Sequence, residues 1–521
     1  MATTEQIIGT WILIALYSSA TLYFVIKGAL NIKSMKDYAV GSISFSPYFV
    51  GMSLAAAMTS AATFVINPGL IARYGISGVL SFGIFFPIAS MISLVVLTKS
   101  FRKYGESVSA VSLASWIGKR FNSKGYSLFI AFLSGLMITF IVLILVALTK
   151  VFASALNTNE VYTLAAIVIF VFGYMMFGGA NSMVYTNTIQ AGIMIVVAVI
   201  LLSSGFSHFE NGVVGFFQKL KEIDPVLIQA TNEGSPLFRD FWEIALAQII
   251  IGIAVVCQPH IITKSLLLKK ESDVNKFLVT SVVVEILFFA VVFVGLYARI
   301  EFPDLTVDGV AMNTDNIIPA YVIQVFSIGW VAVLIGLFVV MGLISAGLST
   351  LEGLIQSVST SITNDIVNPL FGKFVKNEKS YMRINRIAIL VLAVVGFLMS
   401  RQQLLFPKLS VAILAQNGVY AYFSIIFVPI VLGIFGENVG LKAPLWASIT
   451  AFVTHFTVYY GFPVLLNSDI MSFGYFNKYF TGTVHNPAIA ASAAIVLSAI
   501  VGTALYFKEK HTKSKQQILN L

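Results

Sequence analysis

Charged residues are scarce in this chain. Of its 521 residues only 11% are Asp, Glu, Lys or Arg, whereas 58% are hydrophobic. Soluble domains carry about 25% charged residues, so the composition excludes a series of soluble domains and indicates a polytopic membrane protein. The net charge of +9 does not indicate a nucleic-acid partner, because the basic residues fall in short segments between apolar runs.

Cysteine and catalytic motifs are also nearly absent. The single cysteine, Cys257, excludes an internal disulfide framework and a multi-cysteine metal site. His260 and His455 have no Cys or His at ligand spacing, so they do not predict a transition-metal site. No P-loop, GxGxxG motif or nucleophile–base pair stands out, so the sequence predicts neither an enzyme nor an ATP-driven pump, and no organic cofactor.

Thirteen apolar runs are long enough to span a membrane. The first run lacks a preceding basic region and is therefore predicted to be a retained span. The runs cover residues 7–26, 46–70, 76–99, 127–155, 161–180, 186–206, 242–262, 277–299, 329–363, 384–400, 408–435, 441–463 and 486–507.

Basic residues are unevenly distributed between the segments that join these runs. With the N-terminus outside, 23 of the 32 Lys and Arg fall on the inner side. The positive-inside rule therefore predicts a plasma-membrane protein with an outside N-terminus and a cytoplasmic C-terminus. These residues are Lys27, Lys33, Lys36, Lys99, Arg102, Lys103, Lys119, Arg120, Lys124, Lys264, Lys269, Lys270, Lys276, Lys373, Lys376, Lys379, Arg383, Arg386, Lys442, Lys508, Lys510, Lys513 and Lys515.

The ninth run carries hydroxyl and small side chains where a plain anchor would carry Leu and Val. Ala346, Ser349 and Thr350 share one helix face, and Glu352 follows in a stretch otherwise free of charge. An intramembrane carboxylate indicates a protein interior or an aqueous pathway. Hydroxyl, carbonyl and carboxylate oxygens suit a desolvated hard cation such as sodium, although small residues also allow close helix packing.

Two runs carry helix-breaking residues at corresponding positions. The second run has hydroxyl residues at its centre and Asn67-Pro68-Gly69 near its outer end, where we predict the break. The seventh run has Gly252 at mid-membrane and Gln258-Pro259 toward the inside. These runs open two groups of five helices, and an odd number makes the groups opposite in orientation. Weakened spans at matching positions of inverted repeats indicate a transporter site near the midplane.

The order of several short motifs resembles the sodium:solute symporter family, and its proline and pantothenate branch in particular. The resemblance covers about residues 30 to 440 and implies an all-α, LeuT-like five-plus-five inverted-repeat core. The motifs are Lys36-Asp37-Tyr38 with Gly41, Pro68-Gly69, Gly178-Gly179, Thr186-Asn187-Thr188-Ile189-Gln190, Gln258-Pro259-His260, and Ala346 with Leu348-Ser349-Thr350.

That resemblance implies a sodium site formed by the second and ninth spans. Ala57, Ser60 and Ala346 would contribute backbone oxygens, and Ser349 and Thr350 would contribute hydroxyls. A second ion or proton site departs from the family pattern. Asn187 stands where many relatives have Asp, and Glu352 stands where some relatives have Ser. Either the second site is lost, or its carboxylate has moved from the sixth span to the ninth.

Polar residues within the spans are candidates for solute binding, with interhelical hydrogen bonds as the alternative. No intramembrane Lys or Arg is predicted to hold an anion, although helix N-termini could hold a carboxylate. Glu285 could instead serve as a proton site. The candidates are Thr59, Thr63, Gln248, Gln416, Asn417 and Glu285.

These patterns predict sodium-coupled symport of a small, carboxylate-bearing solute by a bilayer-embedded monomer. A proton-coupled symporter that uses Glu352 or Glu285, a channel and a solute sensor are the alternatives. A channel would need a continuous polar pore, and a sensor usually carries a soluble signalling domain. The predicted division is 1–45 for the first span and linker, 46–206 for the first repeat, 207–241 for an outer loop, 242–435 for the second repeat, 436–507 for two peripheral spans and 508–521 for a tail.

Overall fold

The computed structural model describes residues 2–108, 110–268, 270–307, 309–372, 377–407 and 410–519. Among these residues, ten helices are long and apolar enough to cross a membrane, two further helix pairs are each bent by 53°, and Glu160–Met175 is a shorter apolar helix. These segments match the thirteen predicted spans one to one.

The spans are numbered here in chain order. They are span 1 (Thr4–Ala29), span 2 (Pro47–Met58 and Ala62–Tyr74), span 3 (Ile76–Arg102), span 4 (Lys124–Leu156), span 5 (Glu160–Met175), span 6 (Ala180–Phe209), span 7 (Trp242–Val255 and Pro259–Leu267), span 8 (Glu271–Glu301), span 9 (Trp330–Phe371), span 10 (Glu378–Leu405), span 11 (Val411–Phe435), span 12 (Lys442–Asn467) and span 13 (Pro487–Thr512).

Short elements join the spans. Two helices, Met35–Val40 and Leu113–Arg120, lie at the end of the molecule that holds the C-terminal tail. At the other end, helix Gly212–Ile223 precedes span 7. Strands Thr306–Val307 and Val310–Ala311 form an antiparallel pair, which is followed by helix Ile317–Val325.

The break in span 2 lies earlier than the sequence predicted. The helix ends at Met58, Thr59 has extended backbone angles, and a wider π-helical turn starts at Ala62. The prediction of a break at Asn67-Pro68-Gly69 was therefore wrong. Pro68 lies in the first turn of helix Asn67–Tyr74, where its missing N–H costs little. The break in span 7 falls at Gln258-Pro259, as predicted.

Span 9 lies at the centre of the helical bundle. From Val339 to Ser361 every residue is buried, whereas only five of the 26 residues of span 1 are buried. Gly342 allows span 6 to pack closely, because a Cβ atom there would lie 2.5 Å from the Val197 side chain. The hydroxyl and carboxyl groups of span 9 therefore face protein on all sides, and their partners must come from neighbouring spans.

Candidate functional site

Span 9 and the first half of span 2 are joined by two hydroxyl–carbonyl hydrogen bonds. Ser349 Oγ donates to the carbonyl oxygen of Ala56 at 2.7 Å and lies 3.1 Å from that of Ala346. Thr350 Oγ1 donates to the carbonyl oxygen of Ala57 at 3.0 Å. The structure therefore brings together four of the five residues predicted for the sodium site, and it adds the carbonyl group of Ala56.

Ser60 is the fifth of those residues, and it faces the second half of span 2. Its carbonyl oxygen accepts the backbone N–H of Thr63 at 2.9 Å, and its Oγ accepts that of Ala62 at 3.1 Å. Both oxygens thereby satisfy backbone donors that the helix break exposes. Ser60 also lines the cavity described below.

The carboxylate of Glu352 is held by donors from two other spans. Tyr174 of span 5 donates to Oε1 at 2.6 Å, and Thr186 of span 6 donates to Oε2 at 2.7 Å. Gln190, one turn beyond Thr186, places its Nε2 3.5 Å from Oε1 and donates to the hydroxyl of Tyr17 in span 1 at 2.7 Å. Buried donors that converge on one carboxylate stabilise its charged form by charge-assisted hydrogen bonds.

Asn187 links this network to the hydroxyl pair. Its Nδ2 lies 3.3 Å from the carbonyl oxygen of Ser349. Its Oδ1 is buried, and no hydrogen-bond partner for it lies within the described ranges. Thr186, the residue before it, bonds to Glu352, so Asn187 adjoins both the hydroxyl pair and a residue of the Glu352 network. An oxygen without a donor at this point is available to a cation.

Lys264 is a functional candidate that the sequence did not indicate. It was assigned to an inner loop, but it lies in the second half of span 7 and is only 4% exposed. Its Nζ donates to the carbonyl oxygen and the Oγ of Ser53 at 2.7 and 2.8 Å. Ser53 precedes Ala56 and Ala57 by about one helical turn, so this buried amine joins the two broken spans beside the candidate ion site. In the sequence, Lys264 lies just after the seventh apolar run, where a lysine normally belongs to a loop, so its burial could not be predicted.

A cavity of about 100 Å³ lies between the two breaks and span 11. Its wall includes Ser60, Thr63 and Gln416, so two of the predicted solute residues reach it. Polar residues that the sequence analysis did not select as solute ligands also line it, namely Asn67, Gln258, His260 and Tyr420. Among the described residues, no Lys or Arg belongs to the wall.

His260 and Gln258 are the buried polar groups of this wall that lack partners. Among the residues described, the two ring nitrogens of His260 have no hydrogen-bond partner. The same holds for the Oε1 of Gln258. His260 packs against span 9, because a Cβ atom at Gly353 would lie 3.2 Å from its Cβ. Buried polar groups without partners at a cavity wall are suited to a bound polar molecule.

Four predicted solute residues lie away from this cavity. Thr59, at the end of the first half of span 2, donates its hydroxyl to the carbonyl of Ala55 four residues earlier at 2.5 Å, a usual bond for a threonine hydroxyl on a helix. Asn417 bonds to Tyr460 and His455 of span 12, since it faces the opposite side of span 11 from Ala415 and Val419. Gln248 and Glu285 are buried outside the cavity wall, as far as the described residues define it.

Glu285 faces span 2 near its break. Ser281 bonds to the carbonyl of Gly51, and the ring of Phe288 lies 5.5 Å from that of Phe64. Glu285 lies between these two contacts on the same helix face. Both carboxyl oxygens are buried, and neither has a hydrogen-bond partner in the described part of the chain.

The donor set around Ser349 fits sodium. It consists of neutral carbonyl and hydroxyl oxygens from two spans, one of which is interrupted, with the Glu352 carboxylate about one turn away. A hard monovalent cation takes such oxygens in place of water. Among the described residues no group of three or more His, Cys, Asp or Glu could hold another metal ion.

Known proteins that resemble this chain in sequence are sodium symporters. The model of the sodium:solute symporter family matches residues 38–451. The sodium/pantothenate symporter of Escherichia coli (strain K12) is 27% identical over 461 residues, which cover 84% of this chain and 88% of that protein. The sodium/proline symporter of Staphylococcus aureus is 24% identical over 453 residues, or 83% and 82% of the two chains.

A solved structure shares the fold. It is the substrate-bound, outward-open state of a Na⁺-coupled sialic acid symporter, with a TM-score of 0.74, 16% sequence identity, and coverage of 96% of this chain and 97% of that chain. At this identity the likeness establishes the fold, a LeuT-like five-plus-five inverted-repeat core.

Proposed function

Because the chain belongs to the sodium:solute symporter family, it is a multi-pass membrane transporter that moves a small organic solute with sodium, and we propose that its solute carries a carboxylate. The cavity between the broken spans supports this proposal, because its unpartnered groups include the imidazole of His260. An imidazole N–H, the Gln416 amide and the Thr63 hydroxyl are donors that suit a carboxylate or a neighbouring amide. The pantothenate and proline symporters named above transport solutes of this class.

Uptake into proteoliposomes tests the solute class. We expect a sodium gradient to drive uptake of radiolabelled pantothenate or of another carboxylate from a panel of amino acids and short monocarboxylates. For pantothenate, the alcohol analogue pantothenol is the matched competitor, because it lacks only the carboxylate. Competition by pantothenol as strong as that by pantothenate would contradict carboxylate recognition, and uptake indifferent to sodium would contradict the coupling.

His260→Phe tests the cavity, because it keeps a ring and removes both nitrogens. We expect the concentration of solute for half-maximal uptake to rise about tenfold, the effect of losing one hydrogen bond to a charged group. Sodium affinity should remain unchanged, since neither ring nitrogen of His260 bonds to the hydroxyl pair in the described part of the chain. A parallel loss of sodium affinity would place His260 in the ion site instead.

We further propose that Ala56, Ala57, Ala346, Ser349 and Thr350 hold sodium. Ser349→Ala and Thr350→Ala each remove one oxygen, so each should weaken sodium affinity about tenfold to hundredfold. Ser424→Ala is the matched control, because it removes a buried hydroxyl whose bond, among the described residues, stays within span 11. Unchanged sodium dependence in both variants would place the ion elsewhere.

The proposed orientation has the N-terminus outside and the tail in the cytoplasm, as the basic residues indicate. Its test replaces the buried Cys257 with Ser and introduces a cysteine at Glu5 or Lys508, both exposed. An impermeant maleimide added to intact cells should label the cysteine at 5 and not the one at 508. Labelling of both or of neither would contradict this topology.

We also propose that the monomer is the transporting unit.

Proton coupling is the second candidate, because Glu352 and Glu285 are buried carboxyl groups near the broken span. In that case uptake driven by a proton gradient alone should equal uptake driven by sodium. We favour sodium, since the Ser349 donor set consists of neutral oxygens, which suit a metal cation rather than a proton.

A further inference from the structure

A large groove runs between spans 1, 5 and 10 at the end of the molecule that holds most of the basic residues. Its volume is about 800 Å³. One part of its wall is apolar, with Leu22, Ile26 and Phe177 exposed by 41%, 61% and 54%. Exposed apolar side chains on membrane spans face hydrocarbon, so this part of the groove opens toward the bilayer.

The other part of the wall is strongly basic. Lys33, Lys379 and Arg383 are exposed, and none of their side-chain nitrogens makes a hydrogen bond or ion pair within the described part of the chain. Arg386 donates Nε to the carbonyl of Met176 at 3.2 Å and lies over the ring of Phe177. The carboxylate in the wall, Glu378, accepts the backbone N–H of Met35 at 3.0 Å. The groove therefore presents cations that its own acid does not neutralise.

We propose that this groove binds an anionic phospholipid of the inner leaflet. The phosphate would lie among Lys33, Lys379 and Arg383, and an acyl chain would lie along the exposed face of span 1. Basic pockets between spans on the cytoplasmic side suit anionic headgroups, and the apolar wall requires a ligand with a hydrocarbon tail. A soluble anion would satisfy the cations alone. The proposal rests on the orientation proposed above, which places this end in the cytoplasm.

The groove also reaches the ion network. Tyr174 lines it and donates its hydroxyl to Glu352 Oε1 at 2.6 Å. A lipid that packs against Tyr174 fixes one of the donors that hold the carboxylate. Lipid occupancy should therefore change the affinity for sodium, because two ligands whose sites share a residue influence one another reciprocally.

Native mass spectrometry of the full chain tests binding. Phosphatidylglycerol and phosphatidylcholine with the same acyl chains are titrated into the delipidated protein. We expect phosphatidylglycerol to bind at least tenfold more tightly, and Lys379→Ala/Arg383→Ala to lose that preference. Lys442→Ala/Lys508→Ala is the matched control, because it removes two exposed charges outside the groove. Equal affinity for both lipids, equal losses in both variants, or displacement by inorganic phosphate would overturn the lipid site.

Sodium-induced thermal shift in nanodiscs tests the coupling. The sodium concentration for half-maximal shift should differ at least threefold between phosphatidylcholine and mixed phosphatidylglycerol nanodiscs, and Lys379→Ala/Arg383→Ala should abolish the difference. Equal sodium concentrations in both lipids would overturn the coupling through Tyr174. A protein that shows no sodium shift in any lipid would contradict the proposed function, while the mass spectra would still decide the lipid site.

Discussion

Glu352 and Glu285 are both glutamates buried within spans, and they differ in what surrounds their carboxyl groups. Glu352 receives donors from Tyr174 and Thr186, with Gln190 at 3.5 Å. Glu285 has no hydrogen-bond partner for either oxygen among the described residues. From the sequence alone both were intramembrane acids of equal cost. The structure shows that only one of them lies in a polar network.

The difference between the two sites shows that a buried carboxylate requires hydrogen-bond donors to stay charged. An ionised carboxylate without donors costs much free energy in a protein interior, whereas converging donors offset part of that cost. The donors around Glu352 therefore offset part of the cost of a negative charge beside the proposed sodium site. Glu285 would need a proton or a cation to compensate it. The network at Glu352 is arranged for charge, and the surroundings of Glu285 are not.

The largest effect is expected at Glu352. Glu352→Gln keeps the shape but places an NH₂ group among donors that need an acceptor. Sodium affinity, measured from uptake against sodium concentration, should fall about tenfold to hundredfold. Glu285→Gln is the matched control and should change sodium affinity less than threefold. If Glu352→Gln leaves sodium affinity intact and flattens the pH dependence of uptake, Glu352 carries a proton instead.

A charge exchange between spans sharpens the same comparison. Glu352→Ser alone should lose the sodium response, and Asn187→Asp in the same chain should restore sodium affinity to within about tenfold of the original, a remaining cost of about one such hydrogen bond. The reason is proximity, because Asn187 follows Thr186, which bonds to Glu352. Glu285→Ser is the control, and adding Asn187→Asp to it should bring no comparable gain in sodium affinity. A double variant as inactive as Glu352→Ser would refute the idea that the carboxylate moved between spans.

Local periodicity in the sequence predicts the part of the site that lies on one continuous helix. Ser349 and Thr350 share a face with Ala346 because a continuous helix fixes their spacing, and the structure places these residues together. Periodicity fails where the helix is interrupted. Thr59 and Thr63 are both predicted to contact the solute, and of the two Thr63 lies in the cavity wall, whereas Thr59 bonds to Ala55 on the other side of the break. Ser60, predicted for the sodium site, lies in the cavity wall as well.

Contacts between distant spans that the family resemblance does not imply could not be predicted. Tyr17 and Tyr174 lie in runs whose local sequence predicts ordinary apolar spans. The local sequence places Lys264 in a loop. Their partners Gln190, Glu352 and Ser53 are 173, 178 and 211 residues away in the chain. Only the packing of the spans brings such pairs together, and a single sequence carries no signal for that packing.

A smaller effect, on stability, is expected at Glu285. Glu285→Leu replaces a buried carboxyl without partners by an apolar side chain of similar size. Removal of an unsatisfied polar group should raise the free energy of unfolding by about 1–3 kcal/mol, measured as a higher thermal midpoint in detergent. Sodium-driven uptake should stay within threefold of the original. Loss of uptake in a stable protein would show that Glu285 binds a proton or a cation, and the contrast with Glu352 would no longer hold.

The smallest effect is expected from Tyr17, at the edge of the Glu352 network. Its hydroxyl accepts Nε2 of Gln190 at 2.7 Å, and Gln190 lies 3.5 Å from the carboxylate. Tyr17→Phe should therefore change sodium affinity by about threefold, the cost of a neutral hydrogen bond. Tyr174→Phe is the matched variant, because it removes a direct donor to Glu352 at 2.6 Å and should cost about tenfold. The order of the two losses tests the network itself, because a carboxylate held by direct donors loses more from the nearer hydroxyl. Equal losses would mean that these tyrosines act through helix packing, and Glu352 would then differ from Glu285 in its neighbours but not in how it is used.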